Sequence, residues 1–173
     1  MFSLLLTLIF TTIVIISYQD FTSRSVSSIL FPVILILGIF WSLSGQTTIV
    51  TIAWNTLINS LFLFSQFLLL KFYFHFRNDG KKLINKKIGL GDILFIVACT
   101  VYFSPLFFIL FYCLSLIASL LFYILWQLLF KRRQSQPNIP LAGIQAIFLF
   151  CFILLNHYSS FATIVNDWLL HYV

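Results

Sequence analysis

The feature that most constrains this chain is a set of four long segments without Asp, Glu, Lys or Arg: residues 1–19, 25–70, 93–130 and 134–166. A helix needs about 20 apolar residues to cross the hydrocarbon core of a bilayer. Mean hydropathy is +1.07, and only 8% of the residues are charged, against about 25% in soluble domains. Such a chain has too few polar groups to cover itself in water, so we expect an all-α, polytopic membrane protein.

The lengths of these segments predict six membrane-spanning helices. Segments 25–70 and 93–130 are each long enough for two spans, with turns expected at residues 42–48 and near Ser104 and Pro105. Proline favours a turn at the second position because it disfavours helix in the residue before it. The predicted helices cover residues 2–18, 26–42, 49–70, 89–103, 106–130 and 140–156.

The basic residues predict how these helices are oriented. In this arrangement all ten Lys and Arg residues fall on one side of the membrane, in segments 19–25, 71–88 and 131–139. Lys and Arg favour the cytosolic side, so we expect both termini outside the cytosol. The net charge of +6 therefore needs no nucleic-acid partner. We expect one domain over residues 1–173, with 159–173 as an amphipathic surface helix and a seventh span as the alternative.

Cysteine and histidine do not follow the spacing of a metal or redox site. Cys99, Cys113 and Cys151 lie in apolar segments and form no Cys-x-x-Cys pair. The three histidines are scattered over predicted loops and chain ends. We therefore predict no metal site and no cofactor.

Two of the four acidic residues, all of which are aspartates, lie at predicted helix ends. Asp20 follows the first predicted helix and Asp92 begins the fourth, so the order of the spans places both carboxylates at one membrane level. A charge there is costly unless it faces the protein interior, a partner or water. Two facing carboxylates can share one proton and act as the base and acid of an aspartic protease. Asp79 and Asp167 are predicted to be exposed charges.

Each of the two aspartates also has a purely structural explanation. Asp20 can pair with Arg24, four residues later on the same helical turn. Asp92 can cap the start of the fourth helix, where the helix dipole favours negative charge. Residue types alone leave the catalytic and structural explanations open.

Two other functional classes remain open at this point. An ion- or proton-coupled transporter also uses buried carboxylates, and Asn55, Asn59 and Gln66 share one face of the third predicted helix, where they could line a polar pathway. A non-catalytic membrane assembly factor would tolerate the loss of either aspartate. Replacement of the aspartates distinguishes these classes from a protease.

Three short motifs occur in order, each at the cytosolic end of a predicted helix. Asp20 is followed by Arg24 and Val26, and then by two serines that can cap a helix start. The second motif is Gly89-Leu90-Gly91-Asp92, in which the glycines allow close backbone approach. The third is Ile139-Pro140-Leu141-Ala142-Gly143. Together these motifs resemble those of the prepilin peptidases, which are Gly-x-Gly-Asp intramembrane aspartic proteases.

The resemblance implies an aspartic endopeptidase of the short, six-helix form that has only the catalytic core. Its implied substrate is a pilin-like precursor with a short basic leader and an apolar helix, cleaved at the cytosolic face of the bacterial inner membrane in type IV pilus assembly or secretion. Its implied partners are that precursor and membrane lipid. The implied catalytic residues are Asp20 and Asp92, supported by Arg24, Gly89, Gly91 and Pro140.

This sequence departs from the family pattern at two places. Ser27 and Ser28 replace the usual Pro-Asn, and Ile93 and Leu94 follow the second aspartate where many members have Val-Lys. The longer members carry a zinc-type domain with paired cysteines and also methylate the new N-terminus. The chain has no paired cysteines, so we expect neither zinc nor methyltransferase activity.

Overall fold

The computed structural model describes residues 2–23, 25–45, 48–76, 89–129 and 141–158. Within these ranges the chain forms six α-helices, which confirms the predicted all-α class and helix count for this part of the protein. The helices are α1 (Phe2–Ser23), α2 (Leu30–Ser44), α3 (Ile49–Phe76), α4 (Leu90–Cys99), α5 (Pro105–Leu129) and α6 (Leu141–Tyr158). The surface helix predicted for residues 159–173 lies outside the described residues.

Among the described residues, three helices, rather than the predicted six, are long and apolar enough to cross a membrane by themselves. They contain the segments Ser3–Ser23, Ile49–Tyr73 and Pro105–Leu125. The other three, α2, α4 and α6, are shorter apolar helices. With ten residues, α4 is roughly 15 Å long, about half the thickness of the hydrocarbon core. The predicted fourth span is therefore a half-length helix.

The protein core forms around α6, which packs against α1, α4 and α5. In α1, and in α6 from Ala146 onwards, the buried apolar side chains recur every three or four residues, which places them on one helix face. They include Ile9, Ile13 and Ile16 in α1 and Ala146, Leu149 and Ile153 in α6. Many large apolar side chains point outward instead, including Leu4, Trp54, Phe64 and Leu128. An apolar exterior of this extent is typical of a surface that contacts lipid.

The C-terminal end of α4 lies inside the protein, at a buried turn of residues 100–104. Buried backbone carbonyl groups need hydrogen-bond donors, and those of a turn have few partners within the turn itself. The Nδ2 atom of Asn59 in α3 donates to the carbonyl oxygens of Thr100 and Phe103, each at 2.9 Å. Asn59 therefore stabilises the buried turn between α4 and α5.

Two more hydrogen bonds attach this turn to α2. The Ser42 hydroxyl donates to the Val101 carbonyl at 2.7 Å, and the Tyr102 hydroxyl donates to the Ile34 carbonyl at 2.7 Å. Gly38 lies against the Tyr102 ring, and a Cβ atom at Gly38 would overlap that ring. The half-length α4 is thus held in place from its buried end by both α2 and α3.

The end of α1 differs from the prediction. The helix was predicted to stop at residue 18, but it continues to Ser23. The hydroxyls of Thr22 and Ser23 donate to the carbonyls of Tyr18 and Gln19 at 2.6 and 2.8 Å, so both side chains are satisfied within the helix. Asp20 consequently lies within α1 and not after it.

The start of α2 also differs from the prediction. The helix begins at Leu30 rather than at residue 26, and its N-cap residue, Ile29, makes no side-chain capping bond. Ser27 and Ser28 therefore do not cap the helix. Instead, the Ser27 backbone N–H donates to the Gln19 Oε1 atom at 2.9 Å, which fixes the connection from α1.

We predict that Asn59→Leu destabilises the protein by about 2–4 kcal/mol, because it leaves two buried carbonyl groups without donors. Thermal unfolding of the purified protein in detergent would measure the loss. Thr56→Val is the matched control, since the Thr56 hydroxyl bonds only to the Ile52 carbonyl in its own helix. Equal stability of Asn59→Leu and Thr56→Val would contradict the proposed role of Asn59.

Candidate active site

The first turn of α6 brings Asp20 and Asp92 together. The Gly143 backbone N–H donates to the Asp20 Oδ2 atom at 2.6 Å, and the Ala142 N–H donates to the Asp92 Oδ1 atom at 3.0 Å. The first N–H groups of a helix have no partner within it and carry partial positive charge. One helix start therefore binds carboxylates from two other helices through consecutive residues.

Asp20 is held close to the α6 backbone at the cytosolic end predicted for α1. Its side chain is buried, and the residue is only 6% exposed. One turn earlier, the Ser17 hydroxyl donates to the Gly143 carbonyl at 3.4 Å. A Cβ atom at Gly143 would lie 3.1 Å from both the Asp20 Oδ2 atom and the Phe21 ring. Glycine at position 143 thus allows the close approach of α1 and α6.

Asp92 is the third residue of α4 and is half-buried. It accepts a hydrogen bond from the Gly89 backbone as well as the bond from Ala142. The bond from Gly89, the N-cap residue of α4, agrees with the structural explanation in which Asp92 caps the start of its own helix. The bond from Ala142 reaches a different helix, so capping explains only part of the environment of Asp92.

The two carboxylates interact electrostatically. Asp92 lies outside the three spanning segments. Its burial, and then the nearby charge of Asp20, raise the pKa of Asp92 to about 6. The hydrogen bonds from Ala142 and Gly89 oppose this rise. Carboxylates in such proximity titrate as a pair, because both cannot ionise easily. The pair can therefore hold one proton and present one acidic and one basic oxygen at the same site.

A cavity of about 390 Å³ opens beside the two carboxylates. This is within the range of roughly 300–1,000 Å³ that is usual for ligand pockets. Its lining includes Asp20, Asp92, Gly89, Gly91 and the connection between α1 and α2. The cavity can therefore admit water and a segment of peptide to both carboxylates.

Four of the six residues predicted for the site lie at this cavity: Asp20, Asp92, Gly89 and Gly91. Arg24 and Pro140 lie outside the described residues, as do Asp79 and Asp167. In the part of the chain that the structure describes, no group of three or more His, Cys, Asp or Glu side chains could hold a metal ion.

Two features of α6 were not predicted from the sequence. Ala142 and Gly143 contribute backbone N–H groups. Because nearly every residue type has this group, the only signal for these two residues in the sequence was their place in the third motif. One turn later, Gln145 is 1% exposed, and its Oε1 atom has no hydrogen-bond partner among the described residues. A glutamine among the apolar residues of the first turns of α6 was the available signal for this residue.

We predict opposite effects for alanine at the two glycines of the second motif. A Cβ atom at Gly89 would lie 2.8 Å from the Asp92 Oδ2 atom, whereas at Gly91 the nearest atom is Cζ of Phe31 at an ordinary 3.5 Å. Gly89→Ala should displace the carboxylate and cost about 1–2 kcal/mol of stability. Gly91→Ala should be neutral or stabilising by up to about 1 kcal/mol, because alanine favours helix. Thermal unfolding of both variants measures the difference, and a larger loss for Gly91→Ala would contradict this geometry.

Comparisons of the chain with protein-family models, with curated proteins and with solved structures gave no match. The function of Asp20 and Asp92 therefore has to be inferred from their chemistry and their geometry.

Proposed function

We propose that the protein is an intramembrane aspartic endopeptidase that removes the leader from pilin-like precursors at the cytosolic face of the bacterial inner membrane. The observation that carries the proposal is the pair of hydrogen bonds from Ala142 and Gly143, which places Asp92 and Asp20 at one site. A carboxylate that only caps its own helix has no need of a second carboxylate from another helix. The resemblance of the three motifs to those of the prepilin peptidases supplies the substrate class.

The proposed reaction uses one proton shared between two carboxylates. The ionised carboxylate takes a proton from water, and the water oxygen attacks the scissile carbonyl carbon while the protonated carboxyl group donates to the carbonyl oxygen. The tetrahedral intermediate then collapses, the C–N bond breaks, and the leaving nitrogen receives a proton from the pair. Either aspartate can fill either role, so the two act as a unit.

The helix start contributes by holding the carboxylates in place before the substrate binds. Because the N–H groups of Ala142 and Gly143 belong to a regular helix, they stay fixed while charge moves between the aspartates. The adjoining cavity gives water access to the pair. In this proposal the cavity opens towards the cytosol, since the positive-inside rule assigns the connection between α1 and α2 to that side.

The proposed membrane domain comprises all six helices, with both termini outside the cytosol. The three long helices cross the bilayer, and α2, α4 and α6 complete the domain between them. The transporter alternative loses support because the Asn59 side chain is already bound to two carbonyl groups. It is therefore unavailable to line a polar pathway along α3.

Replacement of each aspartate tests the proposal. The protein would be coexpressed with a pilin-like precursor from the same genome, and leader removal would be followed by gel shift and N-terminal mass spectrometry. We expect Asp20→Asn, Asp92→Asn and the corresponding glutamate variants to reduce cleavage at least about 100-fold at normal expression, because the pair acts as a unit.

Asp79→Asn is the matched control, since it makes the same chemical change in the predicted basic loop and should leave cleavage unchanged. Cleavage that persists in either Asp20→Asn or Asp92→Asn would exclude the proposed pair. A wild-type protein that cleaves no candidate precursor would exclude the proposed activity.

A further inference from the structure

Asp92 lines a second cavity in addition to the one it shares with Asp20. This cavity has a volume of about 230 Å³ and lies between α3, α4, α5 and the start of α6. Its walls are mostly apolar and include Leu63, Phe67, Ile96 and Leu116. The polar side chains that line it are Asp92, Gln66 and Tyr112.

Gln66 has no structural role comparable to that of Asn59. Both residues lie on one face of α3, but Asn59 is bound to two carbonyl groups, whereas Gln66 forms no hydrogen bond within the described part of the chain. The half-buried Gln66 belongs to the candidate spanning segment Ile49–Tyr73. An unpaired amide at membrane level is costly, so the position of Gln66 on the cavity that Asp92 also lines requires an explanation.

The substrate of an intramembrane protease has a matching requirement. Water can attack a peptide bond only where the substrate helix is unwound, and unwinding leaves backbone N–H and C=O groups without partners in an apolar environment. A primary amide offers both donors and an acceptor. The Gln66 side chain can therefore pair with one unwound peptide group.

We propose that the second cavity binds the apolar residues that follow the scissile bond of the precursor, and that Gln66 hydrogen-bonds to the unwound substrate backbone there. This inference rests on the proposed function. At about 230 Å³ the cavity is smaller than the roughly 300–1,000 Å³ of most ligand pockets, so it fits one or two side chains rather than a helix. Asp92 borders both cavities. In this proposal the larger, more polar cavity therefore binds the leader residues that precede the scissile bond.

Kinetics of the purified full chain in lipid nanodiscs test the role of Gln66. We expect Gln66→Leu to lower kcat/KM roughly 10-fold, the equivalent of one lost hydrogen-bonding interaction, with thermal stability unchanged. Gln66→Asn, which keeps the amide, should recover part of the loss. Gln127→Leu, the same type of change at an exposed site on α5, should cleave as wild type.

The outcomes separate this inference from the function on which it rests. Wild-type cleavage rates in Gln66→Leu, with Asp20→Asn inactive, would overturn the role of Gln66 and leave the protease assignment intact. If wild type fails to cleave, both are overturned. A loss of thermal stability in Gln66→Leu that accompanies the loss of cleavage would assign Gln66 a structural role and overturn the inference.

Crosslinking tests the occupant of the cavity directly. Leu70 lines the cavity, whereas its neighbour Leu69 is more exposed and does not. In an Asp20→Asn chain with its native cysteines replaced, Leu70→Cys should crosslink to a precursor cysteine two residues after the scissile bond, and Leu69→Cys should not. Equal crosslinking of Leu70→Cys and Leu69→Cys would overturn the inference, as would crosslinking of Leu70→Cys only to a leader cysteine. The absence of any crosslink, which is expected if a lipid chain fills the cavity, would also overturn it.

Discussion

The rest of the structure depends on the interaction between the first turn of α6 and the carboxylates of Asp20 and Asp92. Both carboxylates come from separate helices and would repel each other if they met without compensation. Two consecutive N–H groups at a helix start, aligned with the positive end of its dipole, offset part of that repulsion. The close contact of α1 and α6, which glycine at position 143 allows, brings Asp20 within reach of that helix start.

The position of Asp92 depends in turn on how α4 is held. A helix of half the membrane thickness has one end inside the protein, so the turn that follows it is buried and its backbone carbonyl groups need donors. Asn59 and Ser42 donate to carbonyl groups of the buried turn that follows α4, and the Tyr102 hydroxyl bonds the same turn to α2. A buried polar anchor at one end of α4 thus fixes the carboxylate at the other end, and one half-length helix connects the stability of the core with the geometry of the site.

Hydropathy and charge were sufficient to predict six helices. The positions of Asp20 and Asp92 at predicted helix ends were sufficient to predict that the two carboxylates lie at one membrane level. The number of self-sufficient spans was overestimated, because the uncharged segment 93–130 has the length of two spans although its first helix stops at Cys99. The end of α1 was missed because Thr22 and Ser23 bond to their own helix, a choice that depends on local geometry. The function of Asn59 and of the Ala142 and Gly143 backbone depends on contacts between distant segments, which residue type and spacing do not specify.

The meeting of Asp20 and Asp92 at one site is tested most directly by joining the two positions. Asp20→Cys and Asp92→Cys would be combined in a chain without its native cysteines, treated in membranes with a short bifunctional thiol reagent, and digested at the Lys and Arg residues between the two positions. We expect the two peptides to be linked in high yield. Asp20→Cys combined with Val97→Cys should stay unlinked, since Val97 is an exposed position on α4, the helix that carries Asp92. Unlinked peptides in the first pair, or equal linkage in both pairs, would contradict a shared site.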